Sequence, residues 1–402
     1  MLRDTEIHFT GETTLDNGLT VGVHAEAMAD AGDSFRVDES YAYFSGNWGR
    51  VNFGDEDGAA YLLQVTAPSA DSNVDGIRQY VNPVNYNAAP GLVGLASNFI
   101  NNGGNLALNA LVFDLDGSGG ASAGDVLAGS SFSTGLFADL FKMDYAQDAT
   151  RHADKLTYLT PVFSGFQAGV SYTPQAQANS KNDVASRSFG NSLKNGSADG
   201  IGSAWELAGR WEGKFNDVGL NLGGGWTHLN DTTNGGSLLY IDTNGNGVHN
   251  AGEATLGDRQ GRDQWNLGAD VNFAAFGVGL VYTHDDMGFK GNFARRVWDG
   301  GVDYTTGPFK LGASYMNLRQ ELGVSDDRAK TQRYSGGVVY SFAPGMSFRG
   351  SVGMVRTRVD QADDVDATYG LLGENSPLKC NCAKVQLYEQ TQRIQSFKSS
   401  RS

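Results

Sequence analysis

Residues 242–253 read DTNGNGVHNAGE, and their oxygen-bearing side chains recur at the spacing of a calcium loop. Asp242, Asn244, Asn246, Asn250 and Glu253 fall at loop positions 1, 3, 5, 9 and 12, Val248 offers a backbone carbonyl at position 7, and Gly247 stands at the sharp turn. Oxygens so placed wrap one hard cation, with Glu253 giving two at once. A second copy, DLDGSGGASAGD, sets Asp114, Asp116, Ser118, Gly119, Ser122 and Asp125 in the same register and ends on Asp in place of Glu. The chemistry both imply is Ca2+ held at about 10⁻⁴ to 10⁻³ M, the weak extracellular range, where the ion orders a long loop. The competing reading is a polar Asn/Asp/Gly turn that holds no ion.

Other chemistry finds little footing. His8, His24, His152, His228, His249 and His284 are scattered singly, and neither H-E-x-x-H nor G-x-S-x-G occurs. Lone histidines on strands are expected to be structural. GGNLALNALVFDLDGSGG lacks the G-K-[ST] ending of a phosphate loop. An enzyme is therefore not expected. The 45 acidic against 30 basic residues give a net charge of −15, which disfavours nucleic acid and favours cations as partners. Cys380 and Cys382 stand too close for an unstrained disulfide and read as plain thiols.

The elements that must carry these residues are strands. Gly, at 55 of 402 residues, is about twice its usual share of roughly 7%. Period-two alternation recurs in pairs. WELAGRWEGKF puts Trp205, Leu207, Trp211 and Phe215 on one face and Glu206, Arg210, Glu212 and Lys214 on the other. A short turn at Asn216 and Asp217 leads to VGLNLGGGWTHL, where Val218, Leu220, Leu222 and Trp226 alternate with Gly219, Asn221, Gly223 and Thr227. The same unit turns at Asn17–Gly18, Asn47–Gly49, Ser164–Gly165, Ala274–Ala275, Gly307–Pro308 and Pro344–Gly345, giving seven hairpins and about fourteen strands near the ~10 residues a tilted strand needs to cross a bilayer.

Turns within hairpins are short, whereas the links between them, 55–153, 175–203, 230–261, 285–294 and 319–330, are longer. That asymmetry is foreign to a soluble sandwich and proper to a transmembrane antiparallel β-barrel. The charged face holds Arg36, Asp38, Arg50, Lys155, Glu206, Arg210, Lys214, Asp270, Asp303 and Arg333, which cannot share a dry core. They must line water while the apolar face meets lipid, with Tyr158, Tyr172, Trp226, Tyr282, Tyr315 and Tyr340 at the interfaces. The alternative is a calcium-stabilised surface or secreted β protein acting in adhesion.

IHFTGETTLDNGLTVGVHAE, DESYAYFSGNWGRVNFGDEDGAAYLL and the later Gly-punctuated hairpins resemble the Gram-negative trimeric general porins of the alphaproteobacterial type, over roughly residues 5–360. The resemblance implies an outer-membrane homotrimer of sixteen-stranded barrels in which ions and small hydrophilic solutes diffuse passively. It implies that the third external loop folds inward, with acidic groups facing basic wall groups. Here Asp55, Glu56 and Asp57 would begin that loop, Asp71 and Asp75 would lie along it, and Arg36, Arg50, Lys155, Arg210 and Arg333 are the wall candidates. Opposed charges across a narrow gap make a transverse field that favours small polar solutes. The competing reading is that each Arg pairs with a carboxylate on a nearby strand. The family also implies a signal peptide and an opening strand before Thr5, and a closing strand ending in an aromatic residue. Here TYGLLG gives way to ENSPLKCNCAKVQLYEQTQRIQSFKSSRS, so the barrel is expected over 1–372 and a non-barrel tail over 373–402, as if both termini were altered.

Overall fold

The computed structural model describes residues 2–28, 36–70, 111–113, 126–127, 144–151, 153–176, 201–231, 238–241, 255–258, 260–288, 290–291, 293–321, 328–359, 365–375, 378–381, 384–392 and 395–396. The seven expected hairpins all form. They are β1 (Leu2–Thr14) with β2 (Thr20–Met28), β3 (Arg36–Gly46) with β4 (Gly49–Asp55), and β5 (Asp154–Leu159) with β6 (Phe166–Thr173). β7 (Ile201–Phe215) with β8 (Val218–Asp231), and β9 (Arg262–Phe273) with β10 (Phe276–Asp285), come next. β11 (Arg295–Thr306) with β12 (Phe309–Glu321), and β13 (Arg328–Ala343) with β14 (Met346–Val359), complete the set. β15 (Val365–Asn375), which no hairpin pattern marks, follows. Every strand from β1 to β15 pairs antiparallel with the next. The turns are tight because their corners accept left-handed backbone, as at Asn216 and Ala274, both with φ of 52°.

Part of the segment expected as a tail, residues 373–402, is in strands. Lys384–Gln392, here β16, pairs with β1 from Leu2↔Gln392 to Thr10↔Lys384. Backbone donors and acceptors at the free edge of β1 accept any extended partner, so pairing outweighs the lost side-chain alternation. Among the described residues β16 meets β15 at the single pair Asn375↔Gln390, and the seam of the sheet lies there. A separate small sheet pairs Leu111–Phe113 with Val126–Leu127 and with Leu238–Ile241, which also pairs with Thr255–Asp258. The flanks of the two calcium-type motifs thus lie side by side. Loops 114–125 and 242–253, with Asp114, Asp116, Ser118, Asp125, Asp242, Asn244, Asn246, Val248, Asn250 and Glu253, lie outside the described residues, as do Asp71 and Asp75.

Burial decides which face meets which solvent. Leu207 and Leu267 are 53% and 58% exposed, whereas their neighbours in sequence, Glu206 and Asn266, are each 1% exposed. A water-soluble fold does the reverse. The outward face is layered. Rings near the short turns pair as Phe276–Tyr304 at 4.7 Å and Phe309–Tyr340 at 4.9 Å. Farther along the same strands, Tyr282–Trp298 at 4.3 Å and Tyr315–Tyr334 at 4.9 Å form a second band. From Phe276 to Tyr282 is roughly 20 Å of strand, and the exposed Val278 and Leu280 fill it. An apolar belt between two aromatic girdles is the outer surface of a membrane-spanning barrel. Among the described residues no helix is long and apolar enough to cross a membrane.

Candidate functional site

The connection from β4 to β5 enters the barrel, and small residues on both partners allow it. An ideal Cβ added at Gly225 would stand 3.3 Å from the Ala60 Cβ, at Gly268 2.8 Å from the Val65 carbonyl oxygen, and at Gly279 2.7 Å from Pro68 Cδ. At Gly301 it would meet the Pro68 carbonyl at 1.7 Å, at Gly312 the Ala70 nitrogen at 2.6 Å, and at Gly337 the Ala70 carbonyl at 2.1 Å. These glycines belong to β8 through β13, one per strand. They form a track bare of side chains, and the backbone of residues 60–70 lies along it.

The start of this segment is pinned by the wall. In α1 (Ala59–Leu62) the Ala59 N–H donates to Ser171 Oγ of β6 at 2.8 Å, and the Ala60 N–H to Glu206 Oε2 of β7 at 3.0 Å. Both are first-turn donors with no partner inside the helix, so wall groups satisfy them. The other oxygen of Glu206 accepts from Thr150 Oγ1 on the returning segment. That return is joined to the inward course again at Tyr145, whose Oη accepts from the Ala67 N–H at 3.0 Å and whose carbonyl accepts from Gln64 Nε2 at 2.8 Å. Arg295 of β11 donates to the Asp144 carbonyl at 2.9 Å.

At the root of the segment the charged groups converge. Arg50 Nε donates to Asn52 Oδ1 at 2.6 Å, and Asn52 Nδ2 donates to Glu56 Oε2 at 2.9 Å. The Arg50 guanidinium lies 3.9 Å from the Tyr43 ring centroid, a cation–π contact, and Tyr43 Oη donates to Glu12 Oε2 at 2.7 Å. Lys155 Nζ donates to the carbonyls of Glu56 and Arg151 and sits in the field of Glu206, Asp57, Glu56 and Asp55.

Glu56 Oε1 is buried without a hydrogen-bond partner among the described residues. Burial pushes the Glu56 carboxyl up to about 7, while Lys155 and the Asn52 hydrogen bond pull the other way. The folded state thus prefers the neutral acid. Its stabilisation is full below the unfolded value of about 4.5 and is lost as pH rises through about 7. Denaturation midpoints are expected to fall across that window, and Glu56→Gln, which fixes the neutral shape, is expected to flatten the slope. An unaltered slope in the variant would assign it to another group.

Of the residues expected at a constriction, the structure brings together Arg50, Lys155, Asp55, Glu56 and Asp57. Lys155 is 2% exposed and Glu56 2%, so they form the buried joint of the segment and do not face open water. Arg333 pairs with Asp299 at 3.2 Å across the buried Met316, and Arg210 with Glu212 of its own strand. Arg36 opens β3, and its side chain lies outside the described residues. Sequence reasoning missed Glu206 as the clamp, Tyr145 and Gln64 as cross-links, and the glycine track. Glu206 and several of the glycines were legible as inward-facing by alternation, but not what they face.

These features are an inward segment docked on the lumen wall of a barrel that is apolar outside and charged within, and a family profile described as Gram-negative porin matches residues 1–360. The chain belongs to the Gram-negative porin family. It is an outer-membrane protein of that family. No curated protein sequence matches the porin. Among solved structures it is similar to an anion-selective porin from Comamonas acidovorans, with 14% identity over 98% of this chain and 97% of that one at a TM-score of 0.44. It is similar to the outer-membrane expressed OmpT of Vibrio cholerae at 13% identity over 96% and 95%, with a TM-score of 0.50. A triple-mutant Rhodopseudomonas blastica porin gives 14% identity over 93% and 99%, at 0.42. At 13% identity the likeness to OmpT speaks to fold alone.

Proposed function

We propose that this porin is a water-filled channel, without catalytic activity, through which ions and small hydrophilic solutes diffuse passively. The observation that carries the reading is the inversion of faces: Leu207 and Leu267 turn outward while Glu206 and Asn266 turn inward. A ring of such inward groups needs water in the lumen. The pore narrows where residues 56–70 line it, with Arg50 on the wall and Asp55, Glu56 and Asp57 at the segment's root. The net charge of −15 favours a mild preference for cations.

The chain acts as a homotrimer in the outer-membrane lipid, a reading in keeping with the trimer form named for the Vibrio cholerae OmpT to which it is similar in fold. Ca2+ held by loops 114–125 and 242–253 stiffens the external face; the oxygen spacing supports this, as do the paired strands that flank both loops. A soluble adhesion protein is not favoured, because a continuous belt of exposed Leu, Val and Phe would associate in water. Reconstitution into planar bilayers tests the channel: stepwise currents in KCl are expected, and their absence would overturn it. In the same preparation a calcium chelator is expected to lower the melting temperature of wild type but not of Asp242→Ala/Glu253→Ala.

A further inference from the structure

We propose that the lumen wall formed by β1 and β2 carries a site for a divalent first-row transition cation, built from His8, His24 and Glu26. The three share the inward face of one hairpin, where His8 stands opposite Glu26 and His24 opposite Thr10. All three are partly buried. His8 Nδ1 lies 3.4 Å from His24 Nε2 and 3.5 Å from Glu26 Oε2, and one donor atom from each residue falls within 4.8 Å of the others. Donors held about 2.0–2.1 Å from a Zn2+ ion at tetrahedral angles stand about 3.4 Å apart. The observed spacings are thus edges of such a coordination shell, with the remaining position open to the lumen.

The support behind the ligands is also present. His24 Nδ1 lies 2.9 Å from Thr10 Oγ1, and a ring that donates there keeps its Nε2 lone pair aimed at His8 and Glu26. Two imidazoles with one carboxylate favour Zn2+, Ni2+, Co2+ or Cu2+ over Mg2+ and Ca2+. The two histidines stand sixteen residues apart in sequence, so no short motif announces them.

The site neighbours the root of the inward segment. The His24 ring lies 5.3 Å from that of Tyr41, whose centroid is 6.0 Å from the Arg50 guanidinium. A bound dication would add positive charge to the wall that carries Arg50, one aromatic ring away through Tyr41, a separation on the scale of the ~8 Å Debye length at physiological ionic strength. It would turn the passage toward anions. This consequence rests on the channel reading; the binding itself does not.

Calorimetric titration of the full chain in detergent is expected to show saturable uptake of ZnCl2 and none of MgCl2. Thr10→Val is expected to weaken Zn2+ binding about 10- to 100-fold, and His8→Gln/His24→Gln to abolish it. Absence of saturable uptake by wild type, or equal uptake by the double variant, would overturn the site. In bilayers, Zn2+ is expected to shift the reversal potential in a KCl gradient toward anions, reversibly on chelation, in wild type and not in the double variant. Uptake without that shift would keep the site and overturn its effect on the current.

Discussion

Glu206→Ala is expected to free the inward segment at both ends. One carboxylate, 1% exposed, accepts from the Ala60 N–H as the segment enters and from Thr150 as it returns. It is also among the carboxylates whose field surrounds the buried Lys155. Removing it leaves a helix donor and a hydroxyl unmet and a cation less well compensated, and deleting one side of a buried charged cluster costs about 3–5 kcal/mol. The variant is expected to show a lower denaturation midpoint, cleavage of residues 56–70 by an added protease, and noisier, larger conductance steps. Glu206→Gln keeps one acceptor and is expected to fall between. Wild-type protease resistance in Glu206→Ala would show that the clamp lies elsewhere.

The second large effect separates two adjacent glycines. At Gly301 a methyl group would sit 1.7 Å from the Pro68 carbonyl oxygen, which cannot be relieved by rotating a side chain. At Gly300 the nearest atom is Leu280 Cδ1 at 3.3 Å, on the outward face, where a small shift of one leucine makes room. Gly301→Ala is therefore expected to lift the segment off β11, at about 1–3 kcal/mol for overpacking, and to raise single-channel conductance. Gly300→Ala is expected to leave conductance unchanged. Equal behaviour of the two variants in the same bilayer assay would contradict the docked course of residues 60–70.

How much of this was legible in the sequence follows from what a period of two can encode. Alternation states the face of a residue, and turn residues such as Asn216 and Ala274 state where the chain reverses, so all seven hairpins were readable. Alternation does not state height. Arg50 and Arg333 share the inward face, yet one meets Tyr43 and the root of the inward segment while the other pairs with Asp299 two strands away. Which charges meet depends on the stagger of strands, which is a property of the whole sheet. Lys155 was readable as inward, but its burial depends on a loop that returns to cover it. β16 escaped for a different reason: its pairing with β1 is a transaction between backbones, and side chains leave no trace of it. The small sheet around 111–127 and 238–258 has strands too short for any periodicity to show.

The bare track on β8 to β13 has a dynamic corollary. Side chains lining a passage hop between rotamers within nanoseconds, and each hop changes the free cross-section. Along the line from Gly225 to Gly337 the wall presents peptide groups alone, and at Gly301 and Gly337 they face other peptide groups. Peptide planes held in ladders do not hop. The seat of the inward segment is accordingly set by main-chain geometry, so no rotamer change in the wall beneath it displaces the segment that narrows the lumen.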